Sequence, residues 1–301
     1  MNQDPVIIIA KFNLNMKPKI LVIGATGTIG SSVCELLKAE KAEFTAMLRD
    51  QEKGKAFVTR GIKTIMGDLA DISSLEKAMK GMDKLFLLSV TSPDIPWLQG
   101  NAAKAAKAAG LKHIVKISVR GASGDANFNI GRFHGNAEKE IHNSGIPYTF
   151  LKPHSFLQNL FFDRQSIMEQ NAIYSTMGDG KIPMIDTRDI AAVAVKALLT
   201  DGYEGKFYIL TGPEAISYHD IADELTKALG RKINYIPQTP EEGYKSMISS
   251  GMPGWLVDDL TSLNKAYSAN QAAEVSPDVE EVLGRKPINL QKFISDFKIK
   301  F

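Results

Sequence analysis

The sequence predicts an α/β protein with a doubly wound parallel sheet, helices on both faces of that sheet, and a smaller C-terminal lobe. Short apolar runs alternate with amphipathic stretches from Met16 to about Phe150, and this alternation is typical of a parallel sheet covered by helices. Most of the runs are apolar throughout, as strands buried on both faces are. After residue 155 the rhythm changes, because a long helical pattern begins there.

The strand candidates follow one another at short intervals. In chain order they read KILVIG, FTAML, KTIMG, KLFLLSV, HIVKISV and PYTFL. The helix candidates between them read SSVCELLKAE, SSLEKAMKG, NAAKAAKAAG and FHGNAEKEIHNSG. The last two end on Gly110 and Gly145, where a left-handed C-terminal cap is expected.

The second half of the chain predicts the lobe and the end of the sheet. The helical pattern SFLQNLFFDRQSIMEQN precedes a glycine-rich turn, MGDG, a helix, DTRDIAAVAVKALL, and one more strand, KFYIL. We expect one domain over residues 16–155, completed by about 186–210, and a lobe from 156–185 and 211–301 over the carboxyl ends of the strands. Residues 1–15 are an extension or an edge strand, and the sequence leaves both open.

Composition excludes several classes of partner. The chain has 36 Lys and Arg against 34 Asp and Glu, and this balance is too even to indicate binding to nucleic acid or to a membrane surface. No apolar run approaches the roughly 20 residues of a membrane span. The single cysteine, Cys34, lies among apolar residues, which favours a buried, unreactive thiol and a reducing compartment such as the cytoplasm.

Three glycines, Gly24, Gly27 and Gly30, stand between the first strand candidate and a helix. At such a turn a phosphate meets backbone N–H groups at the helix N-terminus. A side chain at the first glycine would block the turn, one at the second would hold a pyrophosphate away, and one at the third would separate helix from strand. The alternative is a tight turn without a ligand. The place of the glycines in the first of several alternating units favours a Rossmann-type sheet that binds a nucleotide.

The end of the second strand candidate indicates which nucleotide. An NAD site has a carboxylate there that accepts hydrogen bonds from the ribose hydroxyls. This chain has Arg49, with Lys53 a turn later, and a guanidinium suits the 2′-phosphate of NADP. Asp50 beside it favours the alternative of a solvated surface arginine, but NADP is the stronger interpretation. Asp68, after the third strand candidate, either accepts a hydrogen bond from adenine or caps a turn.

Several segments in order resemble the NmrA-like group of atypical short-chain dehydrogenases. They are GATGTIG, an arginine closing the second strand, GDLAD, AAKAAGLKHIVKIS, HGNAEKEIHNSGIPYTFLKPHSFLQN and IDTRDIAAVA. The resemblance runs from Met16 to the closing GRKPINLQKFISDF. It implies that NADP binds to an extended Rossmann domain and that the C-terminal lobe forms a substrate cleft. The group includes NADPH-dependent reductases of quinones and non-catalytic proteins that sense the NADP pool.

The resemblance also implies which residues contact the cofactor. The pyrophosphate would lie at Gly24, Thr26, Gly27, Thr28, Ile29 and Gly30, and the 2′-phosphate at Arg49 with Lys53. The adenine would contact Asp68 and Leu69. The ribose would lie at Leu88, Ser89 and Val90, and the nicotinamide near Pro153 and Phe156.

The chain departs from the related alcohol dehydrogenases at their acid–base pair. Those enzymes use Tyr-x-x-x-Lys, in which the lysine lowers the pKa of the tyrosine. Aligned on Glu138, these positions hold Ile130 and His134 here. His134 could hydrogen-bond the nicotinamide ribose, donate a proton as a catalytic residue near neutral pH, or have no chemical role. Lys116 and Ser118 end the fifth strand candidate, and each could face the cleft or be packed.

We therefore expect an oxidoreductase that transfers hydride from NADPH to a small conjugated acceptor such as a quinone. Such an acceptor is electron-poor, so water or a weak acid suffices as proton donor. Phe156, Phe161 and Phe162 suit a planar apolar ligand, although aromatic residues at helical spacing also fit a core. The alternative is a non-catalytic, NADP-sensing binding protein with a regulatory partner, and a homodimer is left open.

The remaining histidines do not indicate a metal site. No ligand spacing with carboxylates or thiols is visible at His113, His142, His154 and His219, so we expect no metal.

Overall fold

The structure, a computed structural model, describes residues 17–301. The extension expected at residues 1–15 lies outside the described residues. The strands are β1 Lys19–Ile23, β2 Glu43–Leu48, β3 Lys63–Met66, β4 Lys84–Leu87, β5 His113–Ile117, β6 Tyr148–Pro153, β7 Ala172–Ser175, β8 Lys206–Leu210 and β9 Asn234–Pro237. The helices are α1 Thr28–Ala39, α2 Gln51–Thr59, α3 Ile72–Met79, α4 Ile95–Ala109, α5 Asn129–Ser144, α6 Arg164–Gln170, α7 Thr187–Leu199, α8 Tyr218–Leu229, α9 Pro240–Ser249, α10 Gly254–Ser268, α11 Asp278–Leu283 and α12 Leu290–Phe297. None of these helices combines the length and the hydropathy needed to cross a bilayer.

Seven strands form one parallel sheet in the order β3-β2-β1-β4-β5-β6-β8. The chain builds outward from β1 in one direction as far as β3 and then returns to continue on the other side of β1 with β4. This reversal makes the sheet doubly wound and confirms the predicted fold class. In such sheets ligands bind at the carboxyl ends of the strands where the order reverses, which here is the gap between β1 and β4.

Each face of the sheet carries its own core, because successive side chains of a strand point to opposite faces. Phe86 joins the core under α1 and α7, whereas Leu85 and Leu87 join the core under α3, α4 and α5. Every residue of β4 is buried, which explains why Leu85, Phe86 and Leu87 follow one another without a polar residue. Cys34 lies in the first of these cores, fully buried, and burial raises the pKa of its thiol to about 12. The predicted burial of the thiol is thereby confirmed, and its lack of reactivity stays a prediction.

A third apolar cluster forms the core of the lobe. It gathers Leu160, Ile173, Leu225 and Phe293 with their neighbours, beside a small parallel sheet of β7 and β9. One segment of the expected lobe packs elsewhere, because α11 places Val279 and Val282 in the core under α1 and α7. With that exception, the packing supports the domain division expected from the sequence, and we retain the division as a proposal.

The helix expected over residues 155–171 is interrupted. Phe156 forms a bridge with Ile185, in which Leu157 N donates to Ile185 O and Ile185 N donates to Ser155 O, each at 2.9 Å. A short 3-10 helix, Leu157–Asp163, then precedes α6. The extended pairing at residue 156 excludes helix there, and the amphipathic pattern could not reveal this pairing because its partner is distant in the chain.

A buried carboxylate joins the lobe to the sheet domain. Asp259 of α10 accepts hydrogen bonds from Asn129 N at 2.9 Å, Asn129 Nδ2 at 2.8 Å and Ile130 N at 2.6 Å. These donors stand at the N-terminus of α5, where a negative charge is favourable. The lobe thus caps the helix that carries His134.

The structure predicts different responses to an added methyl group at two glycines of the first turn. A Cβ on Gly30 would stand 2.0 Å from Gly24 O, whereas a Cβ on Gly27 would meet nothing nearer than 3.5 Å. We expect Gly30→Ala to lower the free energy of unfolding by about 1–3 kcal/mol through overpacking, and Gly27→Ala to leave it nearly unchanged. Urea unfolding of both variants followed by circular dichroism tests this, and equal stabilities would contradict it.

Candidate functional site

A cleft of about 1010 Å³ opens at the carboxyl ends of β1, β2, β3 and β4. Its wall includes most of the residues that the sequence assigned to a cofactor: Gly24, Thr26, Gly27, Thr28, Ile29, Arg49, Lys53, Asp68, Leu69, Leu88, Ser89, Val90 and Phe156. Gly30, His134 and Pro153 are not part of this wall. The structure therefore brings together residues from four separate strand ends, at the place where the strand order reverses.

Each of the three glycines is needed for a different structural reason. Gly24 has a positive φ of +82°, and a Cβ there would stand 2.5 Å from Leu88 O. Gly30 lies behind the turn, where its lack of a side chain lets α1 approach the Gly24 carbonyl. Gly27 lines the cleft, and a Cβ there would meet only Gly24 O, at an ordinary contact distance of 3.5 Å. The first and third glycines thus build the turn, and the second leaves room for a ligand.

The N-terminus of α1 presents free backbone donors to the cleft. Gly27 is the N-cap, no side chain of the described residues caps it, and the first turn contains no acidic residue. The first N–H groups of a helix have no partner within the helix, and the helix dipole gives them positive character. This helix end therefore fits a phosphate group.

Arg49 and Lys53 put positive charge at the β2 side of the cleft. The acids beside them are engaged elsewhere, because Asp50 accepts a hydrogen bond from Glu52 N at 2.8 Å as the N-cap of α2. Glu52 in turn pairs with Lys55 at 2.6 Å. No ion pair joins Asp50 to Arg49 among the described residues, and because Arg49 is exposed the alternative of a solvated surface arginine stays open.

Asp68 fulfils the turn-capping role that the sequence left open, and it also lines the cleft. Its Oδ1 accepts a hydrogen bond from Ala70 N at 2.9 Å, and its backbone N donates to Ser74 Oγ at 2.9 Å. The two bonds fix the loop after β3, so the carboxylate is held at the cleft wall. A contact from Asp68 to adenine remains a prediction.

Ser89 has its hydroxyl oriented by a residue that the sequence did not indicate. Gln99 of α4 is fully buried, and its Nε2 donates to Ser89 Oγ at 2.9 Å. With its oxygen accepting this bond, the Ser89 hydroxyl hydrogen is available to a ligand in the cleft. The Oε1 atom of Gln99 is buried without a partner among the described residues.

A buried polar cluster takes the place of the tyrosine and lysine of the related dehydrogenases. Lys116 Nζ lies 2.9 Å from His134 Nδ1, and Ser118 Oγ donates to Glu138 Oε1 at 2.5 Å. Lys152 Nζ completes the cluster at 2.9 Å from Glu138 Oε2. Lys116 is fully buried and His134 is 7% exposed. Lys116 and Ser118 are therefore packed residues of the cluster and not part of the cleft wall.

Burial governs the protonation of this cluster. Burial lowers the pKa of Lys116 to about 7, with nearby Glu138 opposing the shift. Burial, and then the charge of Lys116, lower the pKa of His134 well below its usual value. His134 is therefore neutral near pH 7. When Lys116 is an ammonium it can only donate to Nδ1, and the imidazole hydrogen is then on Nε2. The geometry supports a positioning role, and the catalytic role of His134 stays a prediction.

Other cleft residues escaped the sequence analysis because they belong to the interrupted helix and to the lobe. Gln158 Oε1 accepts a hydrogen bond from Thr187 N at 3.0 Å, and its Nε2 donates to Asp186 Oδ1 at 2.8 Å. Asn159 and Lys300 also line the cleft. The segment SFLQN contained two of these residues, but periodicity alone could not separate them from a helix face. Among the described residues no cluster of three metal-ligating side chains occurs.

A doubly wound sheet with an uncapped helix end at its switch point, and with cations at the end of β2, defines the class of Rossmann dinucleotide-binding proteins. The chain belongs to the NmrA-like family, whose model matches residues 16–297. The resemblance seen in the sequence is confirmed.

Individual relatives match nearly the whole chain. An NAD(P)H azoreductase of Xenophilus azovorans is 39% identical over 274 residues, which cover 91% of this chain and 96% of the relative. The NADPH complex of quinone oxidoreductase 2 of Escherichia coli superposes with a TM-score of 0.84 at 29% identity, over 93% of this chain and 99% of the other. The NADP(H) complex of a Citrobacter triphenylmethane reductase superposes with a TM-score of 0.82 at 27% identity, over 92% and 99%.

The buried pair of Lys116 and His134 predicts a stability difference between two substitutions. In His134→Asn the amide oxygen can accept from Lys116 as Nδ1 does, whereas His134→Leu removes the acceptor. We expect the leucine variant to be less stable than the asparagine variant by about 1–3 kcal/mol, because an unsatisfied buried donor has that cost. Urea unfolding at pH 6.5 measures the difference. A leucine variant as stable as the asparagine variant would show that the contact contributes nothing.

Proposed function

We propose that the protein is an NADPH-dependent oxidoreductase that transfers hydride to a small conjugated acceptor such as a quinone. The observation that carries the proposal is the cleft itself. It combines the uncapped N-terminus of α1, the lack of a side chain at Gly27, and the cations Arg49 and Lys53 along one wall. These features fit a dinucleotide with a diphosphate and a 2′-phosphate. When bound, NADPH supplies the hydride.

The residues of this chain suit a reaction that needs little acid catalysis. Ile130 stands where the related dehydrogenases have their tyrosine, and an alkyl side chain exchanges no proton. His134 is neutral and buried, which removes the imidazolium as a donor. A conjugated, electron-poor acceptor takes hydride at carbon and then a proton from water. The task of the protein is then to bind the two reactants and to orient them.

The aromatic side chains of the cleft favour a planar acceptor. Phe156, Phe161 and Phe162 all line the cleft, and Phe162 is 89% exposed. Phe161 also packs on Phe293 with its ring centroid at 5.6 Å, so it serves the lobe core and the cleft together. An exposed aromatic ring at a cleft wall is favourable for stacking on a conjugated ligand.

The relatives support the same chemistry. Their names describe the reduction of azo compounds, of quinones and of triphenylmethanes, and each of these acceptors is conjugated. We further propose that the protein works in the cytoplasm, since its only cysteine is a buried thiol. A homodimer or a regulatory protein partner stays a prediction.

Arg49 should decide the preference for NADPH over NADH. We expect Arg49→Ala to weaken NADPH binding roughly 10- to 100-fold, since a charge-assisted contact contributes about 1.5–3 kcal/mol. The affinity for NADH should change much less, because NADH lacks the 2′-phosphate. Titration calorimetry with both nucleotides measures this. Equal losses for the two nucleotides would contradict the assignment of Arg49 to the 2′-phosphate.

Turnover tests the reaction itself. We expect NADPH absorbance to decay with a panel of quinones and azo compounds faster than the uncatalysed background. The Gly27→Val variant is the matched control, because a branched side chain would occupy the space left for the pyrophosphate, and its rate should fall to background with the fold retained by circular dichroism. If NADPH binds and no acceptor is reduced, the NADP-sensing alternative replaces the enzyme.

A further inference from the structure

Lys300 is a cleft residue that neither the sequence motifs nor the proposed reaction uses. It ends the short 3-10 helix Lys298–Lys300 that follows α12, and it lines the same cleft as the glycine turn. Lys298 belongs to the same 3-10 helix and is not part of the cleft wall. The two lysines thus differ in position and not in chemistry, which makes Lys298 a natural comparison.

Contacts on both sides fix Lys300 in place. Its carbonyl oxygen accepts a hydrogen bond from Arg164 Nε at 2.7 Å. The next residue, Phe301, is buried and packs on Phe161 with ring centroids 5.5 Å apart. The ammonium of Lys300 lies 4.9 Å from the centroid of Phe161 and 5.0 Å from that of Phe297. Cation–π attraction therefore holds the charge against the lobe, at the edge of the cleft.

The acids that could neutralise this charge are committed to other partners. Asp296, the nearest acid along the chain, pairs with Arg188 at 2.7 Å and with Lys292 at 2.5 Å. The two acidic residues of the cleft wall, Asp50 and Asp68, follow β2 and β3 and cap local turns there. Among the described residues Lys300 forms no ion pair, and it is an exposed cation of the cleft wall, which suits an anionic ligand.

A chain of contacts connects Lys300 to the N-terminus of α1. Phe161, under its ammonium, belongs to the 3-10 helix that also carries Gln158. Gln158 accepts a hydrogen bond from Thr187 N, at the first residue of α7, and α7 packs along α1. Phe161 and Thr187 both line the cleft together with the first residues of α1. Lys300 and the N-terminus of α1 therefore line the same cleft.

We propose that Lys300 is a dinucleotide-binding residue that contacts the diphosphate, so that the lobe itself holds the cofactor. The proposal rests on the proposed function, because it assumes that a nicotinamide dinucleotide occupies this cleft. In the proposed function, Arg49 and Lys53 at the end of β2 bind the 2′-phosphate. The diphosphate is then the remaining anion of the cofactor, and it would lie at the N-terminus of α1. The competing source of negative charge is an anionic substituent on the acceptor, and the experiment separates the two.

The test compares Lys300→Met with the control Lys298→Met in titration calorimetry against NADPH, NADH and 2′-AMP. Methionine keeps an apolar stem over the two rings, and circular dichroism verifies the fold. We expect Lys300→Met to weaken NADPH and NADH alike, by roughly 10-fold each, and to leave 2′-AMP unchanged because this ligand lacks the diphosphate. Arg49→Ala should give the opposite pattern, with NADPH and 2′-AMP weakened and NADH spared. Lys298→Met should bind all three as the wild type does.

Three outcomes would overturn the proposal. Unchanged affinity of Lys300→Met for both dinucleotides would remove Lys300 from the cofactor site. If, in addition, the kcat/KM for a naphthoquinone sulfonate fell while that for the unsubstituted quinone did not, Lys300 would recognise the acceptor instead. A wild-type protein that binds neither NADPH nor NADH would contradict the proposed function as well, whereas normal wild-type binding with an unaffected variant contradicts only this inference.

Discussion

The close approach of the first turn to the end of β4 is the constraint on which the rest of the site depends. A Cβ atom on Gly24 would stand 2.5 Å from Leu88 O, so only glycine fits there. The lack of a side chain at Gly30 lets α1 begin directly against the Gly24 carbonyl. Together these contacts place the free N–H groups of α1 in the gap between β1 and β4. A helix that began even one residue later would present its donors away from the gap. The position of the phosphate site therefore follows from backbone contacts that only glycine permits.

A second group of contacts joins α12 and the interrupted helix to the N-terminus of α7. Asp186, fully buried, caps α7 through Arg188 N at 2.8 Å and accepts from Gln158 Nε2 at 2.8 Å. Arg188 reaches from Asp186 to Asp296 of α12, with an ion pair of 2.7 Å to each. A buried charge is costly unless it is paired and hydrogen-bonded, so this network fixes α12 and the interrupted helix relative to α7. Gln158 of the cleft wall is thus connected through Asp186 and Arg188 to α12.

The sequence predicted the sheet and many residues of the cleft wall because both depend on local signals. Buried parallel strands are continuously apolar, and the glycine turn, Arg49 and the strand KFYIL were each visible from their immediate neighbours. The four-residue strands β7 and β9 escaped prediction, since short, partly exposed strands carry little periodicity. The contacts of Phe156 with Ile185 and of Lys300 with Phe161 join residues distant in the chain. No pattern within a window of sequence contains that information.

We infer that the cleft at the ends of β1 to β4 binds NADPH with its adenosine half toward β2 and β3. A crystal structure of the NADPH complex measures this directly. We expect the diphosphate to lie at the backbone N–H groups of Thr28 and Ile29, in the first turn of α1, and the 2′-phosphate to contact the Arg49 guanidinium. A nucleotide bound outside this cleft, or one whose 2′-phosphate points away from Arg49, would contradict this binding mode.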